Sequence, residues 1–288
     1  IKDSVTIVRG CYGNCSFCAI TRHQGPTITS RSLDSIVAEV ASIATSSDFH
    51  GTITDLGGPT ANLYGPECSI GSCPKHDCLY PKICKNLVLN EHRFLELLEN
   101  VSAVAGVKHL HISSGLRLEL LQKTRKLLTK LLKDHTPGNL KIAPEHTENE
   151  VLALMHKESH EQLVNFMVLF RSINNQLAKK VGIIPYIISA HPGCSDQDTE
   201  NMVKKMKQLG LTVRQFQDFT PTPGTLSTAM FVSGIHRDKD APVKIFKDQS
   251  ARSRQRKIIE REFMKKVDTP AKRKSADRTP GKRKNQKK

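Results

Sequence analysis

No stretch of the 288 residues approaches the roughly 20 consecutive apolar residues of a membrane-spanning helix, which excludes that class of membrane protein. A secretory leader pattern is absent as well. No internal repeat stands out beyond a strand–helix rhythm. Eight cysteines without a leader argue against a disulfide framework, because clustered thiols in a reducing compartment more often serve metal or redox chemistry. A cytoplasmic location is therefore expected. The chain starts on Ile1 rather than Met, almost directly on its first strand pattern, and is expected to be a fragment whose N-terminal part is missing.

What is present begins with enough chain for one large domain, or two small ones, around a substantial core. The net charge of +16 is unevenly spread: residues 248–288 hold 16 Lys/Arg against 5 Asp/Glu, so this tail supplies +11 and the preceding 247 residues only +5. The basic character belongs to the tail. Residues 269–288 are Lys/Arg-rich with almost no apolar side chains, a composition that predicts disorder. We expect a core over 1–235, a linker over 236–247 and a mostly disordered basic tail over 248–288, with a short mixed helix near 254–266.

Within the core, strand and helix patterns alternate. Strands are predicted at 5–8, 52–56, 109–112, 140–143, 181–189 and 213–219, and helices at 32–44, 94–104, 118–132, 162–177 and 199–209. Strand-then-helix repetition implies an α/β fold with parallel strands and helical crossovers. Periodicity alone leaves an open doubly wound sheet and a partial barrel both standing. In either, ligands gather at the C-terminal ends of the strands, which is where the chemically distinctive residues fall.

The most distinctive are Cys11, Cys15 and Cys18, in the run Cys11-Tyr12-Gly13-Asn14-Cys15-Ser16-Phe17-Cys18. Three thiolates at this spacing can hold three irons of a [4Fe–4S] cluster and leave the fourth iron open; sulfur is a soft ligand suited to such clusters. Two other readings stand beside this one: a zinc site completed by a residue such as His23, and unpaired loop thiols. A second group, Cys68, Cys73, Cys78 and Cys84, lies in a Pro/Lys-rich insertion at about 65–88. Its spacings fit no short zinc-finger pair well, and an auxiliary Fe–S cluster, a structural zinc or free thiols all remain open.

Gly57-Gly58-Pro59 follows the second strand, and glycines there let a backbone approach a ligand closely. Arg117, after the third strand, has a fork suited to a carboxylate. Glu145, after the fourth, can accept from ribose hydroxyls or an amine. His146, His191 and Cys194 carry a weaker signal, structural roles being commoner for such residues.

The triplet spacing with Phe17 before its last cysteine resembles the radical S-adenosylmethionine (radical SAM) enzymes. The run 4–11 with Asp55-Leu56-Gly57-Gly58-Pro59-Thr60-Ala61-Asn62, Ser113-Ser114-Gly115-Leu116-Arg117, Leu140-Lys141-Ile142-Ala143-Pro144-Glu145-His146-Thr147 and Ala190-His191-Pro192-Gly193 is similar, more narrowly, to the YgiQ-like family of radical SAM proteins, over about residues 1–235. The segments 190–199 and 221–225 also resemble the methylthiotransferases and the oxygen-independent coproporphyrinogen enzymes. The resemblance implies a partial (β/α)6 barrel of TIM type carrying the Cys-rich insertion. It implies a [4Fe–4S] cluster on Cys11, Cys15 and Cys18, with S-adenosylmethionine on the open iron. Phe17, Gly57, Gly58, Pro59, Arg117 and Glu145 would contact that cofactor, with Pro59 standing where the wider superfamily commonly has Glu. One electron, from a donor such as flavodoxin or ferredoxin, would cleave the cofactor to methionine and a 5′-deoxyadenosyl radical, which takes hydrogen from a substrate the sequence does not name. The resemblance also implies an N-terminal domain ahead of the barrel.

Two rival functions stay in view. One is radical modification of RNA, suggested by the methylthiotransferase-like segments and by weak nucleic-acid contact through the basic tail. The other is a non-enzymatic Fe–S electron carrier or redox sensor, which needs no cofactor pocket.

Overall fold

The computed structural model describes residues 2–71, 73 and 75–264. The order is β1 (Ser4–Thr6), β2 (Val8–Arg9), α1 (Ile20–His23), β3 (Thr29–Ser30), α2 (Leu33–Ala44), β4 (Thr52–Ile53), β5 (Asp55–Gly57), β6 (Glu67–Cys68), β7 (Leu87–Val88), α3 (Glu91–Ser102), β8 (His109–Leu110), α4 (Leu118–Leu121), α5 (Arg125–Lys130), β9 (Asn139–Glu145), α6 (Asn149–Met155), α7 (His160–Asn174), β10 (Gly182–Ser189), α8 (Asp196–Gln208), β11 (Gln215–Asp218), α9 (Leu226–Ser233) and α10 (Gln249–Phe263).

The parallel strands pair in chain order. β1 pairs with β5, β4 with β8, and β9, β10 and β11 form a three-stranded ladder; a parallel bridge between Leu116 and Ile142 joins the third strand to the fourth. Alternate strand residues Val5, Ile53, Leu56, Leu110, Ile142 and Ile187 point into one apolar core with Ile36 and Val40 of α2 and Phe94, Leu97 and Leu98 of α3. Helix starts follow ordinary capping chemistry. Ser32 caps α2 by accepting from Ser35 N, and Ser195 with Asp198 forms a reciprocal capping box on α8.

β10, the middle strand of its ladder, contains Pro185, which cannot donate to the sheet. The register with β9 shifts between Pro185 and Ile187, so that Ile187 faces Glu145. Glu145 itself has φ 64°, a left-handed backbone that a non-glycine residue rarely adopts. The bulge and the left-handed residue together end β9 and re-aim Glu145.

Three differences from the sequence reading have physical causes. Residues 118–132 do not form one helix: the Thr124 hydroxyl donates to Leu120 O, and Glu91 accepts from Leu127 N, so α4 stops and α5 starts anew before a wide turn over Leu131–His135. Helices α6 and α9 were not anticipated; α9 lacks a clear apolar stripe, although its Thr225 N-cap and Gly234 C-terminal turn stand in the sequence. Residues of the expected linker, 236–247, contact the core, and the helix expected near 254–266 begins earlier, at Gln249. Gly193 N donates to Lys244 O, and Val243 N donates to Gly234 O. α10 is a packed helix whose Gln255 and Ile259 are fully buried. Gln255 accepts from Ala190 N and donates to Cys194 O, both at the end of β10. The helix extends through Phe263 because its apolar residues find this cover. The disorder expected over 269–288 lies outside the described residues.

The insertion after the second strand is held by the antiparallel pair β6–β7, with Cys68 opposite Leu87. Among the described residues no helix is long and apolar enough to cross a membrane.

Candidate functional site: a cysteine-lined cavity at the strand ends

The loop that leaves β2 carries the cysteine triplet. Gly10 turns it with φ +78°, and a Cβ there would sit 1.8 Å from Thr27 O, so only glycine fits. From the far side, the end of α6 grips the loop: Ser16 N donates to Met155 O, and the His156 ring bonds Asn14 O at 2.8 Å.

A cavity of about 140 Å³ opens beside this loop. Cys11, Cys15, Cys18, Phe17, Pro59, Arg117 and Glu145 all line it, although they come from four separate strand ends or loops. Gly57 and Gly58 do not. A Cβ on Gly57 would meet Asp55 and Ser114 side chains at 2.3 and 2.4 Å, and one on Gly58 would meet Val8 at 2.6 Å. These two glycines let neighbouring strands pack closely and carry Pro59 and Thr60 to the cavity.

Arg117 lies at the base. Its Nη1 is 3.6 Å from Cys15 Sγ. It pairs with Glu119 and, at 3.5 Å, with Glu158, whose other oxygen lies 3.2 Å from Lys157 Nζ. Lys157 also donates to Ala143 O at 2.9 Å. All four side chains are at most 8 % exposed. Burial opposes the guanidinium charge, but Glu119, Cys15, Glu158 and Cys11 outweigh it and keep Arg117 firmly protonated. Asn62 fixes the backbone beneath it, donating to Arg117 O at 2.9 Å and accepting from Arg117 N at 3.0 Å. Gly13 fixes its reach: a Cβ there would lie 2.3 Å from Nη1. The guanidinium expected to grip a ligand carboxylate is thus already engaged with two carboxylates and a thiol.

Burial raises the Cys11 thiol, against Arg117, and pushes Cys18 up to about 11. These thiols stay protonated until something draws the proton off, as a metal does. Glu145 is partly open to the cavity, yet crowding protein atoms desolvate it and raise its carboxyl to about 7, against the pull of Lys157. His146 and His191 lie outside the cavity. Burial lowers them to about 3 and about 4, and they bond Cys194 Sγ at 3.5 Å and Ser227 Oγ at 2.6 Å. Both are neutral packing groups. His23 is exposed at the end of α1, away from the cavity.

Asn62, Gly13, Glu119, Lys157 and Glu158 were missed in the sequence. The only available signal was the polar run His156-Lys157-Glu158 directly after a helix, buried against expectation. Beyond the buried ion group lies a second cavity, about 440 Å³, bounded by Leu79, Pro81 and Ile83 of the insertion and by Glu119, Gln122 and Glu158.

A Radical SAM superfamily model matches residues 5–206. The chain belongs to the radical SAM superfamily. Among similar proteins of this radical SAM chain are UPF0313 proteins. That of Fusobacterium nucleatum is 44 % identical over 270 residues, covering 90 % of this chain and 47 % of the relative. That of Geobacter sulfurreducens is 43 % identical over 249 residues, covering 85 % and 41 %. The chain thus spans less than half the length of these relatives. Two solved structures share the fold. The radical S-adenosylmethionine methyltransferase TsrM of Kitasatospora setae, solved with cobalamin and a [4Fe–4S] cluster, has TM-score 0.53 at 15 % identity, covering 89 % of this chain and 46 % of its own. The coproporphyrinogen III oxidase of Escherichia coli has TM-score 0.51 at 14 % identity, covering 90 % and 51 %.

Proposed function

We propose that this chain is the catalytic core of a radical SAM enzyme, with Cys11, Cys15 and Cys18 holding a [4Fe–4S] cluster whose open iron binds S-adenosylmethionine. The observation that carries the reading is the single cavity that joins all three thiols with Phe17, Pro59, Arg117 and Glu145. The chain-order pairing of parallel strands supports a partial (β/α)6 barrel around it.

The donor set fits such a cluster. Cys11, Cys15 and Cys18 line one cavity, and a cluster gives each of three thiolates its own iron. A buried cation beside Cys15 offsets the negative charge that thiolate ligands bring. An electron carrier needs no cavity next to its cluster; this chain has one.

When bound and reduced by an external one-electron donor of the ferredoxin or flavodoxin class, the cluster and S-adenosylmethionine supply a 5′-deoxyadenosyl radical. The chain's own residues do the rest. Arg117 places a cation beside Cys15, and Glu145 offers a carboxyl poised near neutrality to a ribose hydroxyl or amine. Phe17 covers one wall and excludes water. Cys11, Cys15 and Cys18 would hold the cluster at the cavity of about 140 Å³, with Glu145 on its lining beside them. The larger cavity gives a substrate room. Weak RNA contact through the basic tail is a second reading that rests on residues outside those described.

The test is the paramagnetic resonance spectrum of the anaerobically reconstituted, reduced chain before and after S-adenosylmethionine. A change on addition, absent in Cys15→Ala, is expected. An unchanged spectrum from a fully loaded cluster would overturn the open-iron assignment.

A further inference from the structure

Cys68, Cys73, Cys78 and Cys84 lie within 17 residues, and all four thiols are free and partly exposed. Their segment has little else to hold it. The β6–β7 ladder is two residues per strand, and among the described residues between Glu67 and Val88 only Leu79 and Leu87 are buried apolar side chains. An excursion with so small a core needs a staple. Cys68 stands opposite Leu87 in the β6–β7 pair, and Leu87 N donates to Cys84 O at 3.1 Å. Cys84 N also donates to Cys78 O at 2.8 Å, closing the loop between them.

The group sits against the first cysteine loop. Tyr12, the residue after Cys11, is buried in a small apolar cluster that contains Cys11, Leu79 and Leu87 and is flanked by Cys78 and Cys84.

We propose that these four cysteines bind a second iron–sulfur cluster, separated from the first cysteine loop by Tyr12. A cluster is preferred to zinc on spacing: the gaps between the four cysteines, four, four and five residues, match no short zinc-binding pair, whereas a polynuclear centre gives each thiolate its own iron and accepts a wider ring. The inference does not rest on the function assigned to the first loop, because each set of thiols is removable alone.

The test is iron, acid-labile sulfide and zinc analysis of three anaerobically reconstituted proteins: wild type, the triple variant Cys11→Ala/Cys15→Ala/Cys18→Ala, and the quadruple variant Cys68→Ala/Cys73→Ala/Cys78→Ala/Cys84→Ala. The triple variant is expected to keep about half of the wild-type iron and sulfide and a visible Fe–S absorbance. If the quadruple variant folds, it should lose the complementary share. A triple variant that retains no iron, or that holds zinc without sulfide, overturns the proposal. If the quadruple variant does not fold, the triple variant alone decides. The result for the first loop is read separately, from the quadruple variant or from the response to S-adenosylmethionine.

Discussion

Arg117 Nη1 lies 3.6 Å from Cys15 Sγ, across 102 residues of sequence. The contact ties the cysteine loop to a buried group of two cations and two carboxylates, so the charge at the thiols and the stability of the core depend on one side chain.

Removing that side chain should do more than weaken metal binding. Arg117→Ala leaves Glu119 and Glu158 buried with Lys157 as their remaining cation partner, and breaking a buried pair costs about 3–5 kcal/mol. Arg117→Lys keeps the charge and should recover part of this loss without the fork. Denaturant unfolding of the two apo variants checks it. Equal, small effects would contradict the buried-network account.

Gly13→Ala tests reach rather than charge. The new Cβ would stand 2.3 Å from Arg117 Nη1, and the guanidinium cannot swing freely because Glu119 and Glu158 hold it. We expect a clear loss of iron retention on reconstitution with a stability change of no more than about 1 kcal/mol, since the loop is not part of the main core. Unchanged iron retention would show that the guanidinium tolerates displacement.

Glu145 predicts a pH dependence. Its carboxyl is raised to about 7 in the fold and returns to an ordinary value on unfolding. The folded chain therefore binds the proton more tightly. This favours folding fully below about pH 4 and is lost as pH rises through 7. Glu145→Gln cannot ionise, so its stability relative to wild type should improve between pH 5 and pH 8, by at most about 3 kcal/mol. Apo-protein unfolding at both values measures it; a difference that stays constant with pH would contradict the desolvated carboxyl.

Gln255 predicts that α10 belongs to the core. Gln255→Ala leaves Ala190 N and Cys194 O without their partners, and each buried unsatisfied group costs about 1–3 kcal/mol. A lowered melting temperature is expected, with hydrogen exchange increased at residues 190–194. Wild-type stability would mean that the helix only rests on the surface.

The α/β alternation was legible because β-branched runs such as Ile183-Ile184 and Ile187-Ile188 and amphipathic helices such as Leu33–Ala44 announce themselves. The cysteine triplet was legible from spacing. Gly57 and Gly58 pack closely against Asp55, Ser114 and Val8, and a glycine that admits a neighbouring strand looks the same in sequence as one that admits a ligand. Lys157 and Glu158 were not legible, because adjacent opposite charges ordinarily sit in solvent. Here the fold buries both against Arg117 and Glu119. The packing of α10 was hidden by its Lys/Arg content, with Gln255 and Ile259 too few to signal burial.

The central claim is that the triplet cavity supports reductive cleavage of S-adenosylmethionine. The measurement is 5′-deoxyadenosine formed by the anaerobically reconstituted chain under strong reductant, compared with Cys15→Ala. The account predicts 5′-deoxyadenosine that requires Cys15. A loaded, reducible cluster that yields none, or a yield the Cys15→Ala variant matches, would contradict it.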